Sequence, residues 1–200
     1  MATLVISSMA FIFISGKAGA MVYYVGGSGP GNYTTIQAAV DAANPGDTVF
    51  VYSGTYPEHV MVNKSISLIG EDRDMTSMDG GGAGSTITIT ADWVNVTGFT
   101  VTNGKVAVDM RQVDNNTISH NVISSSETGV NLGVFLLDTF DNTLSDNILS
   151  GNTWGVIGQY THNPRIVNNT FASGGGIAVR LFYTSSDGLI ANNTINPGGI

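Results

Sequence analysis

Five segments of this chain superpose on one another: WVNVTGFTV, NNTISHNVI, NTLSDNIL, RIVNNTF and LIANNTI. Val96, Ile118, Leu144, Ile166 and Ile190 fall in one apolar column and Val101, Ile123, Leu149, Phe171 and Ile195 in another, each advancing by 22, 26, 22 and 24 residues. Two columns with identical steps define a repeat, and a unit this small cannot bury an apolar face by itself. It must stack on its neighbours. A third short run in each unit follows a glycine or small residue: KVAV at 105, GVNLGV at 129, GVI at 155 and GIAV at 176. Three strands and three turns per unit, each strand pairing in parallel with its counterpart one repeat later, make an all-β, single-stranded parallel β-helix. From residue 47 to residue 200 this gives about six coils, a stack on the order of 30 Å at ~4.8 Å per strand.

The repeat explains a composition that is otherwise odd, with 26 glycines and 18 asparagines among 200 residues and only 11% charged. Asn121, Asn147, Asn169 and Asn193 share one column, where amides in successive coils can hydrogen-bond as a structural ladder. Asn115, Asp141, Asn163 and Asp187 share another, and both residue types tolerate the left-handed conformation that tight corners require. Seven Lys and Arg against fifteen Asp and Glu leave a net charge of −8 and no basic footprint for a phosphate backbone, which excludes a nucleic-acid partner. Without cysteine there is no disulfide partner, thiolate zinc site or cysteine nucleophile.

Ahead of the repeats, residues 3 to 15 read TLVISSMAFIFIS, followed by Ala18 and Ala20 in an A-x-A arrangement. Thirteen apolar-rich residues are short for a bilayer span, and the small residues suit signal-peptidase cleavage, so residues 1–20 read as a signal peptide and the protein as secreted or cell-surface. Residues 21–46 then hold a Gly-rich turn and one short helix over 34 to 43, in which Thr34 and Gln37 form a capping box and Ile36, Ala39, Val40 and Ala43 line one face. That stripe is expected to cover the open end of the first coil, protecting unpaired strand edges. At the other end INPGGI breaks off inside a repeat, so the β-helix over 47–200 is expected to continue into further coils or domains.

The segment YTTIQAAVDAANPGDTVFVYSGTYPEHVMVNKSISLIGE (33 to 71) resembles the first-coil segment shared by pectin methylesterases, pectate-lyase-like proteins and the NosD-type periplasmic β-helix family. The later N-x-I and NNT units are similar to repeats of the NosD type and of prokaryotic surface proteins, many of them archaeal. The resemblance implies a right-handed coil. It implies no activity, since the matched segment is scaffold in all these families. The paired-aspartate and arginine motifs of the esterases do not occur here; LDTFDN (137 to 142) supplies Asp138 and Asp141 without the following arginine motif. NosD-type proteins are associated with maturation of a periplasmic copper enzyme, which makes a copper accessory role one alternative implied by the likeness.

Strand alternation places Asp109 and Arg111, then Phe135 and Leu137 with Asp138 at the following turn, then Ile157 and Gln159 with Tyr160 and His162 beyond, then Arg180 and Phe182 on the outside of one sheet. Rings stack on sugar faces, and amides and carboxylates bind hydroxyls, so Arg111, Phe135, Asp138, Gln159, Tyr160, His162, Arg180 and Phe182 are expected to form a groove for a polysaccharide or cell-surface glycan. Asp109, Arg111, Asp138 and His162 are the candidates for catalysis if the groove belongs instead to a polysaccharide lyase, hydrolase or epimerase. The reading leans towards a binding or interaction module. Three dispersed histidines and seven unclustered methionines give no soft-metal box, and no cofactor is expected beyond calcium on oxygen ligands such as Asp138 and Asp141.

Overall fold

The computed structural model describes residues 19–125, 132–172, 176–183 and 186–196. The expected signal peptide thus lies outside the described residues apart from its last two positions, as do the first half of GVNLGV and the last four residues of the chain. From Thr48 onward the β-branched runs form short strands, and these, with one strand ahead of them, assemble into sheets of eight, seven and six strands among the described residues. Every strand pairing among the described residues is parallel. The chain visits the three sheets in rotation and returns one rung higher each time, which is a parallel β-helix.

Both apolar columns are in register as read from the repeat. Ile118 pairs with Val96 and Leu144, Ile166 with Leu144 and Ile190. Ile123 pairs with Val101 and Leu149, Phe171 with Leu149 and Ile195. Their side chains point inward with those of Val108, Met110, Val134, Leu136 and Val156 from the third sheet, forming one continuous core. The core opens at the last described coil, where Ile190 and Ile195 are exposed.

Seven coils stack, not six. First-sheet strands beginning at Thr48, Ser67, Asn95, Thr117, Thr143, Arg165 and Leu189 are separated by six steps, and six steps bound seven rungs. An eighth first-sheet strand, Val22–Val25, precedes the helix and pairs with Thr48–Val51. Sequence reading places only a turn there, because VYYV has no repeat partner one step away.

The single helix of the described residues, α1 (Ile36–Ala42), is shorter than expected and its start is built differently. Its N-cap is Thr35, whose hydroxyl accepts from the N–H of Ala38, and not Thr34. Gln37 does not reach back to complete a capping box; its amide bonds to Asp41 and to both the carbonyl and the N–H of Met61. Glu58 takes over, accepting from the N–H groups of Ile36 at 2.9 Å and Gln37 at 3.0 Å. At the other end Lys64 donates to the carbonyls of Val40, Asp41 and Ala43. Opposite charges thus sit at the helix ends where the peptide dipoles favour them. Ile36, Ala39 and Val40 are buried in the core cluster, packed against the strands Val22–Val25, Thr48–Val51 and Val60–Val62.

Three columns of left-handed residues turn the corners. Gly98, His120, Asp146, Asn168 and Asn192 lie between the first and second sheets, all with positive φ. Trp93, Asn115, Asp141, Asn163 and Asp187 precede the first-sheet strands. Gln112, Asp138, Tyr160 and Tyr183 form a third column within or just after the third-sheet strands. Beside the corners, the buried amides of Asn121, Asn147 and Asn169 and the half-buried one of Asn193 are chained: each Oδ1 accepts the backbone N–H one coil below, at 2.8–3.0 Å. A shorter chain, from Val94 through Asn116 to Asn142, repeats the device in a second column. Pro164 holds the next position, and its side chain has no oxygen to accept a backbone N–H from the coil below.

Candidate functional site

On the outer face of the third sheet, register places side chains in rows along the coil axis. Thr88, Asp109, Phe135, Ile157 and Arg180 form one row; Arg111, Leu137, Gln159 and Phe182 form the next. Strict alternation would turn the following residue inward. The positive φ of Gln112, Asp138 and Tyr160, between 52° and 54°, turns it outward instead, so two consecutive residues face solvent in each coil. Thr139 and Thr161 then point inward, and Phe140, His162 and Ser186 make a further row. The result is a groove of about 610 Å³ lined by Arg111, Gln112, Leu137, Asp138, Tyr160 and His162.

Rings form its walls. Tyr160 stacks on Tyr183 of the next coil with centroids 5.6 Å apart and planes 19° from parallel, and Phe140 stacks on His162 at 4.6 Å and 15°. His162 Nδ1 lies 3.0 Å from Ser186 Oγ. Left-handed backbone disfavours bulky residues, so Tyr160 and Tyr183 hold their rings outward at a conformational cost of order 1 kcal/mol each.

Asp109 does not project into the groove. It is buried, at 7% exposure, and Arg111 folds back along the strand onto it: Nε donates to Oδ1 at 2.9 Å and to Oδ2 at 3.2 Å, and Nη2 to Oδ2 at 3.0 Å. Ser85 Oγ donates to the same carboxylate at 3.3 Å. The guanidinium also lies 4.9 Å from the Phe135 ring centroid. Its hydrogen bonds to Asp109 raise the already high pKa of Arg111, so this cation is permanent.

Of the residues read from sequence, Arg111, Asp138, Tyr160 and His162 converge in the groove. Phe135 lies under Arg111, while Arg180 stands farther up the sheet, 4.9 Å from the ring centroids of both Trp154 and Phe182. Gln159 sits in the row between Leu137 and Phe182. Sequence reading missed Gln112, Phe140, Trp154 and Tyr183. Phe140 stands one 22-residue step from His162, and Tyr183 follows Phe182, but neither glutamine nor tyrosine advertises a left-handed corner.

For calcium, Asp138 and Asp141 belong to different corner columns, and among the described residues no three His, Asp or Glu side chains come together as a metal site. Calcium takes six to eight oxygens. Towards that number the groove's lining supplies one carboxylate, that of Asp138.

A parallel β-helix bearing a lateral, ring-walled groove is the class of protein that this geometry defines. Residues 40–199 match the model of the family described as periplasmic copper-binding protein (NosD), and the chain belongs to that family. It is 31% identical over 158 residues to a cell surface glycoprotein of Methanothermus fervidus, a match over 75% of this chain and 26% of the glycoprotein. The chain thus spans about a quarter of that relative's length. Among solved structures, an alginate lyase from Paenibacillus sp. str. FPU-7 superposes with a TM-score of 0.75 at 15% identity, over 90% of this chain and 68% of the lyase. The pectin methylesterase from carrot gives 0.52 at 18% identity, over 80% and 65%. At these identities the likeness is one of fold.

The family description raises copper, and the described residues do not fit it. Soft or imidazole donors would have to converge on one point. His59 instead bonds through Nδ1 to the carbonyl of Ser85, His120 occupies a corner between the first and second sheets, and His162 is stacked on Phe140. No cysteine exists to supply a thiolate.

Proposed function

We propose that the chain is an exported, cell-surface β-helix module whose third-sheet groove binds a glycan. The observation that carries the reading is the groove itself, where Tyr160 and His162, each backed by a second ring, stand beside the amide of Gln112 and the carboxylate of Asp138. Apolar ring surface beside hydroxyl-binding polar groups is the combination a sugar requires. Support for the location comes from the apolar segment over 3 to 15 with its A-x-A site, and from the surface relative. Affinity electrophoresis through gels containing soluble polysaccharides tests the reading. The wild-type protein is expected to be retarded by at least one neutral glycan and the Tyr160→Ala variant to run freely; equal migration of both in every gel contradicts it.

A second reading, a polysaccharide-modifying enzyme, is favoured by one observation: Asp138 and His162 are titratable groups lining the same groove. Asp109 is committed to Arg111 and does not serve as an acid or base. Release of reducing ends or unsaturated products that disappears in Asp138→Asn would establish the enzyme, and no product from any polysaccharide the protein binds would dismiss it.

A further inference from the structure

We infer that the groove selects uncharged glycans and discriminates against uronate chains. The inference rests on the glycan-binding reading and narrows its ligand class. Recognition of a carboxylated sugar needs a cation able to face each carboxylate. Among the residues lining the groove the one side chain of permanent positive charge is Arg111, and its Nε and Nη2 donate to a carboxylate of the protein's own, Asp109. Burial of Asp109 and the Phe135 ring beside the guanidinium fix that pairing, so turning Arg111 towards a ligand would strand a buried charge. With the pair neutral in sum, the permanent charges of the lining leave Asp138, which is negative, beside the His162 imidazole, whose Nδ1 is engaged with Ser186 Oγ. Gln112 is the neighbour of Asp138 across the coil step, its Nε2 3.5 Å from Oδ2, and brings no charge. Arg180 stands outside the lining, over Trp154 and Phe182. The chain as a whole carries −8, so the long-range field also opposes a polyanion. What remains is suited to neutral sugars: a carboxylate and an amide that accept and donate to hydroxyls, the Tyr160 hydroxyl, and ring faces for the apolar side of a pyranose.

Titration calorimetry with neutral gluco- and manno-oligosaccharides, against alginate and polygalacturonate oligomers of equal length, tests this at two ionic strengths. At least one neutral series is expected to bind about tenfold or more tightly than either uronate at low salt, and uronate binding is expected to strengthen as salt screens the repulsion. Asp109→Asn, which keeps the shape and frees the guanidinium, is expected to shift the ratio towards the uronates. Uronates bound as tightly as the neutral sugars, or bound more weakly as salt rises, would overturn the selectivity. Binding of neither class would overturn the glycan-binding reading itself.

Discussion

Asn147 donates both its backbone N–H and its side-chain Nδ2 to a single acceptor, Oδ1 of Asn169 one coil above, each at 3.0 Å. Its own Oδ1 accepts in the same way from Asn121 below, and its Nδ2 also reaches the carbonyl of Ile118. All three amides are buried. Replacing Asn147 by Ala strands the N–H of Asn121 and takes a donor from the carbonyl of Ile118, both in the coil below, and removes one of two donors from Asn169 Oδ1 above, which costs about 3 kcal/mol. Asn168, one residue before the ladder and exposed at its corner, has no such duty, and Asn168→Asp is expected to stay within ~0.5 kcal/mol of wild type. Urea unfolding of the two variants checks the contrast.

The helix α1, packed on the strands Val22–Val25, Thr48–Val51 and Val60–Val62, is held at both ends by charged side chains from outside it. Glu58→Ala removes two N-terminal acceptors and Lys64→Met removes three C-terminal donors, each expected to lower stability by about 1 kcal/mol. Deleting residues 33 to 45 altogether uncovers Val49, Val60 and Val62 and is expected to give insoluble protein. A soluble deletion product that unfolds cooperatively would show that the helix is dispensable.

Acid sensitivity is expected at Asp47. Its carboxylate accepts from the N–H groups of Met21 and Asn44, both at 2.8 Å, and the bond from Met21 is the main cause of a pKa below the ordinary 3.8, with that from Asn44 adding to it. Glu71, held by Ser53, is likewise lowered from 4.5. A carboxyl whose folded pKa lies below its unfolded one stabilises the fold fully above the unfolded value and loses that contribution as pH falls through the folded one. Asp47→Asn is therefore expected to be less stable than wild type at pH 7, with the gap closing below pH 3.8. Denaturant midpoints measured across that range would show it; a gap that persists at pH 2 would mean the hydrogen bonds do not depend on ionisation.

Much of the fold was legible because a β-helix writes its register into the sequence: Val96, Ile118, Leu144 and Ile166 had to coincide if each coil was to sit on the last. The capping of α1 was not legible, since Glu58 lies 22 residues from Ile36 and only the folded chain brings them together. At the groove, alternation identified the outward face but could not say which outward neighbours would pair. Asp109 and Arg111 stand two apart on one strand and neutralise each other. The corner column was hidden for a different reason, because Asp138 is a plausible left-handed residue while Gln112, Tyr160 and Tyr183 are not.

That mismatch separates stability from function at Tyr160. Asparagine suits the left-handed position better than tyrosine but gives up the stack on Tyr183, so Tyr160→Asn is expected to lie within ~1 kcal/mol of wild type. Glycan affinity should fall about tenfold or more with the loss of the ring. Thermal unfolding and calorimetry on the same sample separate the two effects. A variant that binds as well as wild type would remove the ring wall from the account.

Amide chemical-shift mapping of the labelled protein, titrated with a neutral oligosaccharide, tests whether the lateral groove is where a glycan sits. Saturable shifts are expected at residues 111–112, 137–138 and 160–162, spreading to Phe140 and Tyr183 through the ring stacks. Shifts confined to the first or second sheet, or none at ligand concentrations in the millimolar range, would contradict it.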